Sequence, residues 1–248
     1  MSYMNRRDIS HRHGLPQTAA GLPIWKRTLD LAIILMLLPA LLILGVGVAF
    51  LVACGSRGPV FFRQRRVGHR GREFLLYKFR TMQVGAESRL HRNHFHHLMK
   101  SAVPMTKLDA HSDPRLVPFG ALLRATGLDE LPQLINVVRG EMSIVGPRPC
   151  IPYEYERYKP WQRRRLDAVP GLTGLWQVNG KNRTTFNEMV RLDIRYSRRL
   201  SLGLDLKILA RTLPALWQQC TDLRASKRKE TEARSSARMA KSAEVYHL

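Results

Sequence analysis

From Leu31 to Cys54 the chain runs for 24 residues without a charged side chain, and a stretch of that length and apolarity is membrane-embedded. As a straight helix it would be about 36 Å long, enough to span a bilayer with some tilt. Pro39 lies inside the run, where it removes a backbone hydrogen bond and crowds the preceding turn, so a kink or break is expected there. Both flanks are basic: Arg6, Arg7, Arg12, Lys26 and Arg27 precede the run, and Arg57, Arg63, Arg65 and Arg66 follow it. Positive charge on both sides is accommodated when both ends stay on the cytoplasmic face. Residues 24–55 are therefore expected to form a re-entrant membrane helix broken at Pro39, with a plain single-pass anchor as the alternative. Leu-Val-Ala-Cys at 51–54 looks like a lipoprotein cleavage box, but the run is too long for a signal peptide and the basic segment behind it resists translocation.

Charge narrows the partners. Lys and Arg number 41 against 19 Asp and Glu, a formal +22, which points to an anionic partner or a membrane surface. Hydrophobic residues make up 44%, enough for a core, so wholesale disorder is excluded. Cys54, Cys150 and Cys220 are far apart and form no CxxC pair, which excludes a disulfide-stapled domain and a thiolate zinc site. A nucleic-acid binder would explain the charge, but no zinc knuckle, RNP-like aromatic motif or helix-turn-helix pattern is present, and the apolar run would serve no purpose. No nucleic-acid partner is expected.

The remainder divides into a basic arm (1–23), a cytoplasmic domain (56–221) and a polar tail expected to be flexible (222–248). Val60-Phe61-Phe62 and Phe74 to Arg80, separated by Gly68-His69-Arg70-Gly71, predict a β-hairpin. His91, His94, His96 and His97 lie close together, yet no further ligand completes a metal site, and a His-rich helix or loop is the simpler reading. Leu131, Leu134, Ile135 and Val138 fall at helical spacing, with Gly140 as a stop. Leu202 to Trp217 forms an apolar-rich segment, either a core helix or one lying in the membrane interface.

Thr126-Gly127-Leu128-Asp129-Glu130-Leu131-Pro132-Gln133 opens that central helix, with Thr126 as candidate N-cap. Acids at a helix start commonly serve as caps, but here Arg124 lies just before the pair and Gly146-Pro147-Arg148-Pro149 forms a rigid turn after it. Two adjacent carboxylates with arginines can hold a divalent cation and a diphosphate together, one acid attacking phosphorus while the other helps hold the metal.

These residues resemble a family. Tyr77-Lys78-Phe79-Arg80-Thr81-Met82, Leu128 to Leu134, Gly140 to Pro149 and Pro170 to Gly180 are similar, in the same order, to the signatures of the bacterial sugar transferases, the monotopic polyprenyl-phosphate phosphoglycosyl transferases. The resemblance covers residues 24–216. It implies an enzyme on the cytoplasmic face of the bacterial inner membrane that moves a hexose 1-phosphate from a UDP-sugar, UDP-glucose or UDP-galactose, to undecaprenyl phosphate with release of UMP. In the family the Asp of the dyad forms a covalent aspartyl intermediate, which assigns Asp129 as nucleophile; Glu130 becomes the Mg²⁺ ligand. Arg148 is expected to contact substrate phosphate, with Lys78, Arg80 and Arg124 completing the anionic pocket. The family's first helix is re-entrant and broken at a Pro, matching Pro39, although this chain has Leu38 where the family often has Ser. The expected fold is α+β and mainly helical, with a re-entrant membrane helix, interfacial amphipathic helices and a small hairpin. No glycine-rich dinucleotide loop supports a Rossmann alternative.

Overall fold

A computed structural model describes residues 21–83, 85, 95, 97–99, 101, 103–105, 115–180 and 183–245. The N-terminal arm and most of the His-rich stretch lie outside the described residues. The fold is mainly helical, with one small antiparallel sheet and a long apolar N-terminal helix.

Helix α1 (Ile24–Gly55) contains the apolar run and is the one helix among the described residues long and apolar enough to cross a membrane. Helical backbone continues through Pro39, where the sequence predicts a break: one missing N–H donor leaves the surrounding bonds of the helix intact. The middle of α1 is bare, with Leu35, Met36, Leu42 and Ile43 all exposed, whereas its buried residues, Lys26, Asp30, Ile34, Val48 and Val52, lie toward the two ends. Ile34 packs in a cluster with Leu76, Val137 and Met142; Val48 and Val52 pack with Phe79 and Leu123. Leu76 and Phe79 lie on one strand, so both halves of α1 rest on the same small domain.

Strands β1 (Phe61–Val67) and β2 (Glu73–Phe79) form the expected hairpin, pairing Phe61 with Phe79 and Val67 with Glu73. Gly71 (φ 79°) sits against the Tyr155 hydroxyl, where any side chain would collide. Helix α2 (Gly120–Thr126) ends at Gly127, whose φ of 75° reverses the chain. Next comes a 3₁₀ turn, Leu128–Gln133, and then the short helix α3 (Leu134–Val138). The sequence predicts a single helix here; Pro132 cannot donate to the Leu128 carbonyl, so the first turn tightens into 3₁₀ geometry. Thr126 is not the N-cap: it is the last residue of α2, and its hydroxyl donates back to the Leu122 and Leu123 carbonyls.

A second sheet, absent from the sequence reading, pairs β3 (Ser143–Val145) in parallel with β4 (Gly171–Thr173). Between them lie α4 (Pro152–Arg157) and α5 (Pro160–Arg163), followed by a 3₁₀ turn, Arg164–Asp167. After β4 come α6 (Leu175–Val178), α7 (Phe186–Arg198) and α8 (Leu202–Val245). The main core cluster lies here, with Tyr158, Leu166, Trp176, Phe186, Met189 and Val190 among its members. Leu202, Leu206, Leu213 and Trp217 are exposed at spacings that place them along one side of α8. Helix α8 continues from residue 222 to Val245, where the sequence predicts a flexible tail. After Pro214 this stretch lacks Pro and Gly and is rich in Ala, Arg, Lys and Glu, all strong helix formers.

Candidate active site

The Asp-Glu pair sits in the 3₁₀ turn directly after the Gly127 reversal, and β2 packs against that turn. Asn136, missed in the sequence, joins the two: its side-chain amide donates to the Leu75 carbonyl at 2.8 Å and its oxygen accepts from the Tyr77 amide at 3.3 Å. Asn136 is fully buried, and Glu141 accepts its remaining N–H at 2.6 Å. Glu141 is thereby committed to orienting Asn136. On this short helix Asn136 is buried while Ile135 and Val138 are exposed, the reverse of what the apolar spacing predicts, so only the packing reveals its part.

This fastening brings Lys78, on β2, over both acids. Its Nζ donates to Glu130 Oε1 at 2.7 Å and lies 3.7 Å from Asp129 Oδ2. Arg148 Nη1 approaches Glu130 Oε1 from the other side at 3.5 Å. Exposure rises from 9% for the Asp129 side chain to 22% for Glu130 and 37% for Arg148, so Asp129 is the more deeply set of the two acids. Burial raises the Asp129 pKa; Lys78 pulls it back, Glu130 pushes it up, and Arg124 and Arg148 lower it. Three cations thus favour the ionised carboxylate against its own desolvation. Arg124, in the last turn of α2, acts here through charge.

Arg80 belongs elsewhere. It is 5% exposed, and its Nε, Nη1 and Nη2 donate to the carbonyls of Pro59, Arg57 and Ser56 at 2.6, 2.9 and 2.9 Å. It ties the exit of α1 to β2, which corrects its assignment to the phosphate pocket: its donors are spent on orphan carbonyls beyond the helix end. Arg27 does the matching work at the entry of α1, donating to the carbonyls of Val137 and Val138. Of the residues expected in the pocket, Asp129, Glu130, Lys78, Arg148 and Arg124 come together and Arg80 does not; Pro39, expected as the break of the apolar helix, lies within α1.

No cluster of three or more His, Cys, Asp and Glu occurs among the described residues. Two neighbouring carboxylates flanked by cations do suit Mg²⁺, which takes one or two carboxylates and completes its shell with substrate phosphate and water. They do not suit a structural zinc.

A family model described as bacterial sugar transferase matches residues 22–219. The chain is 44% identical over 193 residues to a galactosyl transferase, CpsE, of Streptococcus agalactiae, covering 77% of this chain but 41% of CpsE. It is 40% identical over 193 residues to the exopolysaccharide production protein ExoY of Sinorhizobium fredii, covering 78% of this chain and 85% of ExoY. It is 41% identical over 182 residues to the UDP-glucose:undecaprenyl-phosphate glucose-1-phosphate transferase of Xanthomonas campestris, covering 70% of this chain and 34% of that protein. The chain therefore spans less than half the length of two of these relatives and most of the third.

Proposed function

Since the chain belongs to the bacterial sugar transferase family, we propose that it is a phosphoglycosyl transferase that moves a hexose 1-phosphate from a UDP-sugar to undecaprenyl phosphate, initiating exopolysaccharide or another surface glycan. The observation that carries this reading is the buried Asp129, kept ionisable by Lys78, Arg124 and Arg148 and set beside Glu130. UDP-glucose and UDP-galactose are the donors favoured by the names of relatives, the Xanthomonas campestris transferase and a UDP-galactose-lipid carrier transferase of Erwinia amylovora.

Asp129 is the nucleophile. A carboxylate oxygen attacks the β-phosphorus of the donor, the bond from that phosphorus to the bridging oxygen breaks, and UMP leaves with the electron pair. The sugar 1-phosphoryl group remains as an acyl phosphate on Asp129. An oxygen of undecaprenyl phosphate then attacks the same phosphorus and releases the carboxylate, giving a lipid-linked diphosphosugar. A diphosphate repels an approaching carboxylate, so Lys78 and Arg148 are placed to neutralise its oxygens. Glu130 would hold Mg²⁺, which would supply further charge neutralisation when bound.

The lipid substrate requires the site to face a membrane. Both halves of α1 pack on the domain that carries the dyad, which supports a re-entrant helix bent at Pro39 with both ends on the cytoplasmic face of the inner membrane. The exposed apolar side of α8 supports a second contact at the interface.

The test is the intact mass of detergent-purified protein incubated with Mg²⁺ and UDP-glucose or UDP-galactose without lipid acceptor, together with UMP release. A hexose-phosphate increment that is absent in Asp129→Asn and discharged by undecaprenyl phosphate is the expected result. Turnover with the lipid acceptor that survives in a folded Asp129→Asn protein would overturn the assignment of the nucleophile. Absence of turnover with every UDP-hexose would overturn the activity.

A further inference from the structure

Arg148 stands between two prolines, and this decides how its backbone can be held. Pro147 and Pro149 have no N–H, so the segment can be fixed chiefly through its carbonyls. All four consecutive carbonyls from 147 to 150 accept a hydrogen bond. The Pro147 oxygen accepts from the Gly171 amide at 2.9 Å and the Cys150 oxygen from the Val67 amide at 2.8 Å. The two central ones are held by arginine side chains: the Arg148 oxygen accepts from Arg165 Nη2 at 3.1 Å, and the Pro149 oxygen from Arg66 Nη1 at 3.2 Å.

Arg165 is itself locked. Its side chain and that of Asp193 are 3% and 2% exposed; Nε and Nη2 meet Asp193 Oδ2 at 3.0 and 2.7 Å, and Nη1 donates to the Tyr158 hydroxyl at 2.9 Å. Asp193 lies on α7 and Tyr158 just beyond α4, so the guanidinium joins two helical elements to the segment that carries Arg148. A planar fork with several N–H groups can satisfy a carboxylate, a phenol and a carbonyl together; an ammonium on a flexible stem cannot hold the same three directions.

We propose that Arg165, held by Asp193, is a positioning residue for catalysis: it fixes the Arg148 carbonyl and thereby the point from which the Arg148 guanidinium reaches over Glu130. This rests on the reading of Arg148 as a contact for substrate phosphate. Arg66 performs the same task one residue later. Neither residue touches the dyad in this arrangement, and each acts through the Arg148 segment. Loosening that segment by about an ångström costs on the order of a hundredfold in rate when the group it carries acts on the transition state.

A double-mutant cycle separates positioning from mere stability. Turnover with UDP-galactose or UDP-glucose, whichever is the donor, and undecaprenyl phosphate is measured for Arg165→Lys, Arg148→Ala and the double variant, each checked for folding by thermal unfolding in detergent. Arg165→Lys is expected to lower kcat by about ten- to a hundredfold in the native background, and by less than about threefold once Arg148 is already Ala. Equal fold losses in both backgrounds would overturn the proposal. Hydrogen exchange at the Arg148 and Cys150 amides reads the clamp without any catalysis. It should accelerate about tenfold or more in Arg165→Lys, with the β1–β2 hairpin unchanged. If Arg148→Ala retains full turnover, the phosphate-contact reading fails, and the proposal that Arg165 positions Arg148 for catalysis falls with it. Unchanged exchange in Arg165→Lys would overturn the clamp on its own. Should Arg165→Lys fail to fold, Arg66→Gln, which frees the Pro149 carbonyl and otherwise loses a bond to the Gln64 side chain within β1, replaces it in the same cycle with the same expected pattern.

Discussion

Lys26 Nζ donates to Asp205 Oδ2 at 2.5 Å across 179 residues of sequence, with the two side chains only 2% and 0% exposed. One residue belongs to the first turn of α1 and the other to the first turn of α8, so the pair fixes the entry of α1 to the helix bearing the exposed apolar side. The Tyr196 hydroxyl donates to the second Asp205 oxygen at 2.8 Å, and the Tyr196 ring lies 5.8 Å from the ammonium. Lys26→Met removes one charge and leaves the other buried, which is expected to destabilise the protein by roughly 3–5 kcal/mol. Thermal unfolding in detergent should show the loss, and replacing Asp205 by Leu in the same protein should recover much of it. A loss that the second substitution fails to reduce would mean that uncompensated charge is not its source.

The acid pair predicts opposite movements of the pH–rate profile. Asp129 must be ionised to attack, burial raises its pKa, and Lys78 is the largest of the influences that lower it. Removing Lys78 therefore raises the pKa further and moves the acid limb of kcat/KM to higher pH. Lys78→Met is expected to lose about tenfold more activity at pH 6 than at pH 8.5, measured against the native enzyme at each pH. Glu130→Gln removes a like charge and should move the same limb to lower pH, even though its overall rate falls. Stability runs the opposite way with pH. A carboxylate whose folded pKa is raised binds its proton more tightly in the native state, so its contribution weakens as pH rises from the unfolded value through the folded one.

Much of the site was legible because its chemistry needs fixed residue types at short spacing: Asp129 beside Glu130, the Gly-Pro-Arg-Pro turn, and the Lys78 strand. The apolar run announced α1 by composition alone. Arg80 was misplaced because an arginine in a signature strand looks the same in sequence whether it faces a phosphate or, as here, three carbonyls beyond a helix end. Asn136, Arg66 and Arg165 give no sign of supporting the site in sequence, since each acts through a contact 61, 83 and 17 residues away, respectively. Hydrophobic periodicity does not report such contacts. The parallel β3–β4 pair escaped for the same reason, each strand being three residues long. The helical continuation of α8 was missed because a helix without an apolar stripe depends on propensity, a weaker signal than pattern.

The corrected place of Arg80 has a measurable consequence. Arg80→Lys loses most of three hydrogen bonds from a charged group to the Ser56, Arg57 and Pro59 carbonyls, a destabilisation of roughly 2–4 kcal/mol. The thermal midpoint and yield of folded protein should fall, while the donor KM of the folded fraction stays within about twofold of the native value. A KM raised tenfold or more at unchanged stability would return Arg80 to the phosphate pocket.

The arrangement of α1 predicts its topology. A helix of 32 residues would be about 48 Å long if straight, yet Ile34 and Val48, on either side of Pro39, both pack on the domain that holds the dyad. The proposed re-entrant turn keeps a domain on one side of the bilayer in contact with both halves. Pro39 supplies the point of weakness, because the Leu35 carbonyl has no N–H partner there. Single cysteines at Thr28 and Arg57, both exposed, should therefore react with a membrane-impermeant thiol reagent only when the cytoplasmic face of inner-membrane vesicles is presented. Cys54, Cys150 and Cys220 would first be replaced by Ser or Ala. Pro39→Ala restores the missing hydrogen bond and favours a straight helix, so a fraction of the molecules should expose one of the two positions on the opposite face. Those molecules should lose the packing of one half of α1 and turn over at least about tenfold more slowly, since Leu123 and Phe79, against which Val48 and Val52 rest, lie on the elements flanking the dyad. Labelling of the two positions from opposite faces in the native protein would establish a spanning helix.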